Sequence, residues 1–121
     1  MNALSQLDAV ITEIGTLLFA AVPFSEWEAV IMYSRYTPDA STSAHAFDFL
    51  LPDGRIDKGA SPLEPMLTNL ENATKKHWQE TQNLGQPRWY KMILTIQRTG
   101  KFNVEFEYRD DYKEGDIMKQ R

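Results

Sequence analysis

The amino-acid sequence predicts an α+β fold, a four-stranded antiparallel sheet with two helices packed on one face. Two stretches, 27–51 and 89–109, each indicate a strand pair. Residues 45–51 and 89–109 alternate between apolar and polar, which places successive side chains on opposite faces of a sheet, and residues 27–36 are rich in aromatic and β-branched side chains. Two further segments, 3–21 and 61–84, have the three-and-four apolar spacing of amphipathic helices. The predicted order is α-β-β-α-β-β, and short hairpin connections favour antiparallel pairing.

The last strand pair gives the sharpest prediction, because the parity of its side chains selects the turn. A two-residue loop at Thr99-Gly100 would send the apolar residues of the two strands to opposite faces. A three-residue loop from Arg98 to Gly100 pairs Ile96 with Phe102 and keeps both apolar sets on one face. Gly100 is free to take the left-handed conformation that such a loop needs. The predicted inner pairs are Ile96–Phe102, Leu94–Val104, Met92–Phe106 and Tyr90–Tyr108.

The other face of this hairpin is predicted to point toward water. Its expected cross-strand neighbours are Lys91–Glu107, Ile93–Glu105 and Trp89–Arg109. An ion pair or a cation–π contact at such exposed positions contributes ~1 kcal/mol or less. Each large apolar side chain of the inner face contributes roughly 1.5–3 kcal/mol when fully buried, so burial decides the orientation.

The first helix and the first strand pair follow from local signals. The helix is expected over 3–21 and is ended by Pro23, and the internal Gly15 is expected to mark close packing against a strand. The strand at 27–36 carries apolar residues on both parities, as a central strand covered on both sides would. A turn cluster at 37–43 joins it to the next strand, 45–51.

The second helix has a predicted start and a predicted stop. Ser61 as N-cap, Pro62 at the first helical position and Glu64 form a start signal. Gly85 followed by Pro87 forms a stop signal. The preceding segment, Arg55 to Ala60, is interpreted as a polar connection.

Length and composition favour one soluble domain over residues 1–121, with a tail at 110–121 that has no clear period. The 121-residue chain has no cysteine, a net charge of −4 and a sequence pI near 5.1. An acidic chain argues against nucleic acid as a direct partner, because phosphate binding needs clustered Lys and Arg. The apolar runs are too short for a membrane span, so we expect neither a membrane partner nor a signal peptide, but a cytoplasmic location.

Catalytic and metal-binding motifs are not evident in the sequence. His45 and His77 are the two near-neutral bases, and neither has a partner at a catalytic or metal-ligand spacing. We expect His45 to be a structural or interface residue and His77 to lie on the polar face of its helix. The segment from Asp110 to Asp116 lacks the acid spacing of a calcium loop. The sequence therefore predicts no catalytic residues, no metal and no cofactor, although abundant carboxylates leave a small carboxylate-based hydrolase open.

Acidic residues concentrate near the end of the chain. The window from Glu105 to Asp116 holds six acids and two bases, so its net charge of −4 equals that of the whole chain. One interpretation is a solvated edge and tail. The other is an acidic patch that attracts a basic partner.

The last hairpin also carries a family resemblance. The tryptophan at 89, the alternating apolar residues after it and the run GKFNVEFEY from Gly100 to Tyr108 resemble the YezG-like family of bacterial immunity proteins. The order of elements is similar over nearly the whole chain. The resemblance implies the binding and neutralisation of a polymorphic antibacterial toxin, often a nuclease, delivered by contact-dependent growth inhibition or a related secretion system. It implies no catalytic residues.

The resemblance and the acidic window together predict a partner-binding surface. Its predicted residues are Glu105, Glu107, Asp110, Asp111, Tyr112 and Glu114. The expected partner is a basic toxin domain, with this chain a monomer or a weak dimer when free. A homo-oligomeric scaffold that pairs through its first or last strand edge is the third reading, beside the hydrolase.

Overall fold

A computed structural model describes residues 3–38 and 42–108. Their elements, in chain order, are α1 (Ala3–Ala20), β1 (Ala29–Tyr36), β2 (Ser43–Leu50), β3 (Ile56–Asp57), α2 (Met66–Asn83), β4 (Lys91–Gln97) and β5 (Phe102–Glu107). The strands form one antiparallel sheet in the order β3-β2-β1-β4-β5. The α+β class and the two helices are confirmed, but the prediction of four strands is wrong, because the described sheet has five.

The additional strand is β3, which lies in the segment predicted to be a polar connection. Leu51 N–H donates to the carbonyl of Arg55 at 2.9 Å. This bond closes a turn, after which the chain runs back along β2. The strand then stops, because Asp57 Oδ1 accepts the N–H groups of Gly59 and Ala60 at 3.0 and 2.8 Å. These side-chain bonds replace the next rungs of the ladder. Two residues are too few to show alternation in the sequence.

Both helices cover the same face of the sheet. The even-numbered residues of β1 and their partners on β2 and β4 point toward the helices, and Val30, Met32, Phe49 and Leu94 are fully buried there. The expectation for Gly15 is confirmed, since a Cβ at this position of α1 would lie 3.3 Å from Ile96 Cδ1 of β4. A side chain at position 15 would push α1 away from the sheet.

The predicted hairpin register is confirmed over β4 and β5. Ile96 pairs with Phe102, Ile93 with Glu105 and Lys91 with Glu107. Gln97 N–H donates to the Lys101 carbonyl at 2.8 Å, so the loop has three residues, and Gly100 has the positive φ of 97° that it requires.

The predicted register fails at the start of β4. Tyr90 N–H donates to the Glu107 carbonyl at 2.8 Å although Lys91 is the register partner of Glu107, so two residues face one across the ladder. Such a bulge shifts the side-chain parity by one residue. Trp89, predicted to face water beside Arg109, is therefore 1% exposed in the core. Tyr90, predicted to lie beneath the helices, packs against Ala44 on the opposite face.

The start of α2 differs from the prediction and its end agrees. The helix begins at Met66, and Ser61, the predicted N-cap, lies outside it. Pro65 disfavours helical backbone at the preceding residue, and Leu63 N–H donates to the Ala21 carbonyl at 2.8 Å. At the other end Gly85 has a φ of 74°, and its N–H donates to the Gln82 carbonyl at 3.1 Å, as in a glycine-terminated helix.

The close approach of α1 to β4 predicts the effect of a larger residue at position 15. We expect Gly15→Val to lower the free energy of unfolding by about 1 kcal/mol or more, because its Cβ would already be in tight contact with Ile96 Cδ1 at 3.3 Å, so that α1 or Ile96 would have to shift. Urea denaturation followed by tryptophan fluorescence measures this change.

Gly59→Val is the matched control for this variant. Gly59 is exposed, and a Cβ there would meet no heavy atom within 4 Å. Its effect should stay within about 0.5 kcal/mol. Equal stabilities of the two variants would contradict the packing argument.

Candidate functional site

The face of the sheet opposite the helices carries the candidate site. Strand pairing places its side chains in rows, because residues opposite one another share a face. One row contains Tyr33, Ile93 and Glu105, and neighbouring rows contain Ile31 with Thr95 and Asn103, and Lys91 with Glu107. We call these eight residues the open face.

The open face combines an apolar centre with a carboxylate margin. Ile31, Tyr33 and Ile93 are only half-buried, whereas Glu105 and Glu107 at the edge are exposed. β1 is the central strand, as predicted, but the expectation that it is covered on both sides is wrong for this face. An apolar patch with a charged rim is typical of protein-binding surfaces.

Charge on the open face is partly neutralised within the protein. Lys91 Nζ lies 3.5 Å from Glu107 Oε2 and 5.4 Å from the centre of the Tyr33 ring. The Lys91 side chain is only 12% exposed, so its charge is largely covered. Glu105 takes part in no ion pair within residues 3–38 and 42–108. It is therefore the carboxylate of this face with the least compensated charge.

The structure brings two of the predicted partner-binding residues together. Glu105 and Glu107 lie two positions apart on β5, with both side chains exposed as predicted. The other four residues of that prediction, Asp110, Asp111, Tyr112 and Glu114, lie outside the described residues, as does the 110–116 segment considered for calcium.

The inner face of β5 is less covered than predicted. Phe102 is 50% exposed and Tyr108 58%, and Val104 and Phe106 are half-buried. Since α1 packs over Ile96 of β4, it leaves a cleft of about 490 Å³ between itself, the end of α2 and β5. We call this cleft the α1–β5 groove. The alternating pattern predicted which face these residues occupy, but it could not show how far the helices extend over them.

His77 does not lie on the polar face of its helix as predicted. It is 3% exposed, and its Nδ1 accepts a hydrogen bond from Trp89 Nε1–H at 3.1 Å. Its ring stacks on Phe106, with 5.4 Å between ring centres and 5° between planes. Burial lowers the pKa of His77 to about 4, while the charge of Asp8 acts weakly in the opposite direction. The imidazole is therefore a neutral acceptor in the core.

His45 is a structural residue at the edge of a second cleft. Its Nδ1 lies 2.8 Å from Ser34 Oγ, and burial lowers its pKa to about 4. The serine is fully buried, so this pair does not present a nucleophile to a substrate. The cleft has a volume of about 420 Å³ and is also lined by Lys58 and Glu71.

No group of three or more His, Cys, Asp or Glu side chains in 3–38 and 42–108 is arranged to hold a metal ion. Among the helices described, none combines the length and apolar character needed to cross a membrane.

Comparison with known families decides the kind of protein. A family model described as immunity protein YezG-like matches residues 61–121, which include α2, β4 and β5. The chain belongs to the YezG-like immunity protein family. The resemblance found in the last hairpin is thereby confirmed. No curated protein matches the sequence.

Membership of the YezG-like family indicates the class of partner. A family of immunity proteins implies a toxin as partner and a role in binding rather than catalysis. The matched region contains β4 and β5, which supply Ile93, Glu105 and Glu107 to the open face.

The two buried histidines predict a dependence of stability on pH. The pKa of an ordinary histidine is near 6.5, and burial lowers the pKa of each of these two to about 4 in the fold, so the unfolded chain binds more protons between these pH values. The free energy of unfolding therefore falls as pH decreases from about 6.5 toward 4. Urea denaturation at about pH 7 and about pH 5 measures the fall.

The variant His77→Gln isolates one histidine, because its amide oxygen can still accept the Trp89 indole N–H. We expect a smaller loss of stability between the two pH values than in the wild type. An unchanged loss would show that His77 is not neutral in the folded protein.

Proposed function

We propose that this YezG-like protein binds and neutralises a cognate antibacterial toxin in the cytoplasm, and that the open face is part of the toxin-binding surface. The proposed acidic margin consists of Glu105, Glu107, Asp110, Asp111, Tyr112 and Glu114. The observation that carries the proposal is the exposure of Glu105 and Glu107 beside half-buried apolar residues of neighbouring strands.

The apolar centre supplies affinity in this proposal. Tyr33 and Ile93 lie in the same row as Glu105, so a partner that covers the carboxylate also covers these side chains. Interfaces draw most of their binding energy from a few central residues, with tyrosine enriched among them. A specific complex of ordinary size buries ~1,600 Å² in total, which requires more of the protein than the open face alone.

In this proposal the acidic margin attracts a basic partner and orients it toward the open face. The window from Glu105 to Asp116 has the same net charge, −4, as the whole chain, which concentrates the negative potential at the end of β5 and beyond it. Nucleases are generally basic because their substrate is anionic. We therefore propose a basic nuclease domain as the toxin, delivered by contact-dependent growth inhibition or a related secretion system. The margin would speed association and compete with nucleic acid for the cationic surface.

A charge-reversal variant tests the role of the open face. The variant Glu105→Lys, Glu107→Lys should associate with the cognate toxin domain at least about tenfold more slowly than wild type at low salt. The difference should shrink at high salt, where exposed charges are screened. Stopped-flow or biolayer measurements of association rates at two salt concentrations give both results.

The control is Glu13→Lys, Glu64→Lys, which changes the net charge equally through exposed carboxylates of the helical layer. Its association rate should stay near that of the wild type. If both double variants slow association to the same extent, net charge and not the open face directs the partner. The further variant Asp110→Lys, Asp111→Lys tests the proposed margin beyond β5.

A further inference from the structure

At alternate residues, the backbone groups of β5 point outward and pair with no other strand within residues 3–38 and 42–108. Gln97 N–H donates to the Lys101 carbonyl, so the hydrogen-bonded positions of this antiparallel pair are the odd-numbered residues of β5. The N–H and carbonyl groups of Phe102, Val104 and Phe106 therefore point away from β4. β5 is the last strand of the sheet, and no other strand within residues 3–38 and 42–108 pairs with this edge.

The α1–β5 groove lies on the helix side of the same edge. Its lining residues are mostly apolar or aromatic and include Leu7, Ile11, Trp89, Phe102, Val104 and Phe106. A neighbouring cleft of about 330 Å³ continues past Phe102 toward Gly15 and Phe19. Side chains that projected from an added strand toward the helices would enter this apolar space.

The opposite side of the edge is acidic. Asn103, Glu105 and Glu107 are exposed and point to the open face. Alternate side chains of a strand beside β5 would therefore meet two environments, one apolar beneath the helices and one negatively charged on the open face.

From these three observations we infer that β5 receives an extended strand of the partner, in which apolar residues alternate with lysine or arginine. The apolar side chains enter the α1–β5 groove, and the basic side chains lie over Glu105 and Glu107. The partner's backbone bonds to Phe102, Val104 and Phe106 as in other cases of strand addition. This inference rests on the proposed function and specifies the form of the toxin segment.

Charge disfavours a second copy of this chain as the occupant. Two β5 strands paired edge to edge around a twofold axis would bring Glu105 and Glu107 of both copies onto one face of the joined sheet. Like charges at neighbouring cross-strand positions are destabilising. A basic strand replaces this repulsion with attraction.

The free edge of β2 is a less suitable site and supplies a control. β3 covers only the Phe49–Leu50 end of β2, so the backbone groups of Ser43 also point outward. The cleft beside this edge is lined by polar residues such as His45 and Ser61 and by charges of both signs, Lys58 and Glu71, so it lacks the apolar groove and the paired carboxylates found at β5. A basic strand with apolar alternate residues therefore fits β5 better than β2.

Backbone amide exchange tests the inference without any variant. The probe is a synthetic peptide of about eight residues that alternates valine and lysine, and the matched peptide has glutamate in place of lysine. In the free protein we expect fast exchange at Phe102, Val104 and Phe106 and slow exchange at Asn103 and Glu105, whose amides bond to β4. The valine–lysine peptide should slow exchange at the three even-numbered residues at least about tenfold, and the glutamate peptide should not.

Proline variants test the same edge in the complex with the toxin domain. Val104→Pro removes an outward N–H that makes no bond to β4, so the strand can tolerate it. We expect this variant to bind at least about tenfold more weakly, and Ser43→Pro, which blocks the β2 edge, to bind within about twofold of wild type. Val104→Ala keeps the N–H, so it measures how much of the loss of affinity comes from the valine side chain.

The outcomes separate this inference from the proposed function. Toxin binding without slowed exchange at the three amides overturns the strand inference and leaves the function standing. Slowed exchange with the peptide but no binding to the toxin supports the strand inference and overturns the function. Slow exchange in the free protein would mean that residues 109–121 or a second copy already occupy the edge, and sedimentation at several concentrations distinguishes these two cases. Occupation of the edge by residues 109–121 or by a second copy would overturn the inference.

Discussion

The fold depends on two hydrogen bonds donated by buried indole N–H groups, one to a backbone carbonyl and one to an imidazole. Trp78 Nε1–H of α2 donates to the Trp89 carbonyl at 3.0 Å, and Trp89 Nε1–H donates back to His77 of α2 at 3.1 Å. Tyr36 of β1 stacks on Trp78 and meets the edge of Trp89. A buried indole without an acceptor would lose its hydration uncompensated, so this reciprocal arrangement fixes α2 on one face of the sheet. The open face lies on the other side of the sheet from α2.

The bulge at Tyr90 makes that arrangement possible. In an uninterrupted strand, Trp89 would have the same parity as Lys91 and would point to the open face. The extra residue turns the indole into the core and brings Tyr90 to the open side, next to Ala44. One local irregularity therefore serves both faces of the sheet.

The features of this structure that the sequence predicts correctly are those that follow from the regular spacing of apolar residues. Alternation in residues 91–107 determined the hairpin register, the loop length and the outward direction of Glu105 and Glu107. The errors occur where a single interaction overrides the period. Asp57 shortens β3 to two residues, Pro65 delays α2, and the bulge reverses Trp89. His77 is a different error, since it lies four residues before Thr81 and seven after Leu70 on the buried stripe of α2. That spacing places His77 on the buried stripe of the helix, but the polarity of its side chain led to the prediction of an exposed position.

Alternation along β5 separates residues that pack into the fold from residues that the fold leaves exposed. Val104 and Phe106 pack against the core, whereas Asn103, Glu105 and Glu107 make few contacts within the described protein. Substitutions at exposed positions of this kind usually change stability by less than about 0.5 kcal/mol. New specificities can thus evolve on one side of the strand while the opposite side continues to hold the sheet together. If these exposed side chains contact the toxin as proposed, a lineage can alter its recognition in small steps without passing through unfolded intermediates.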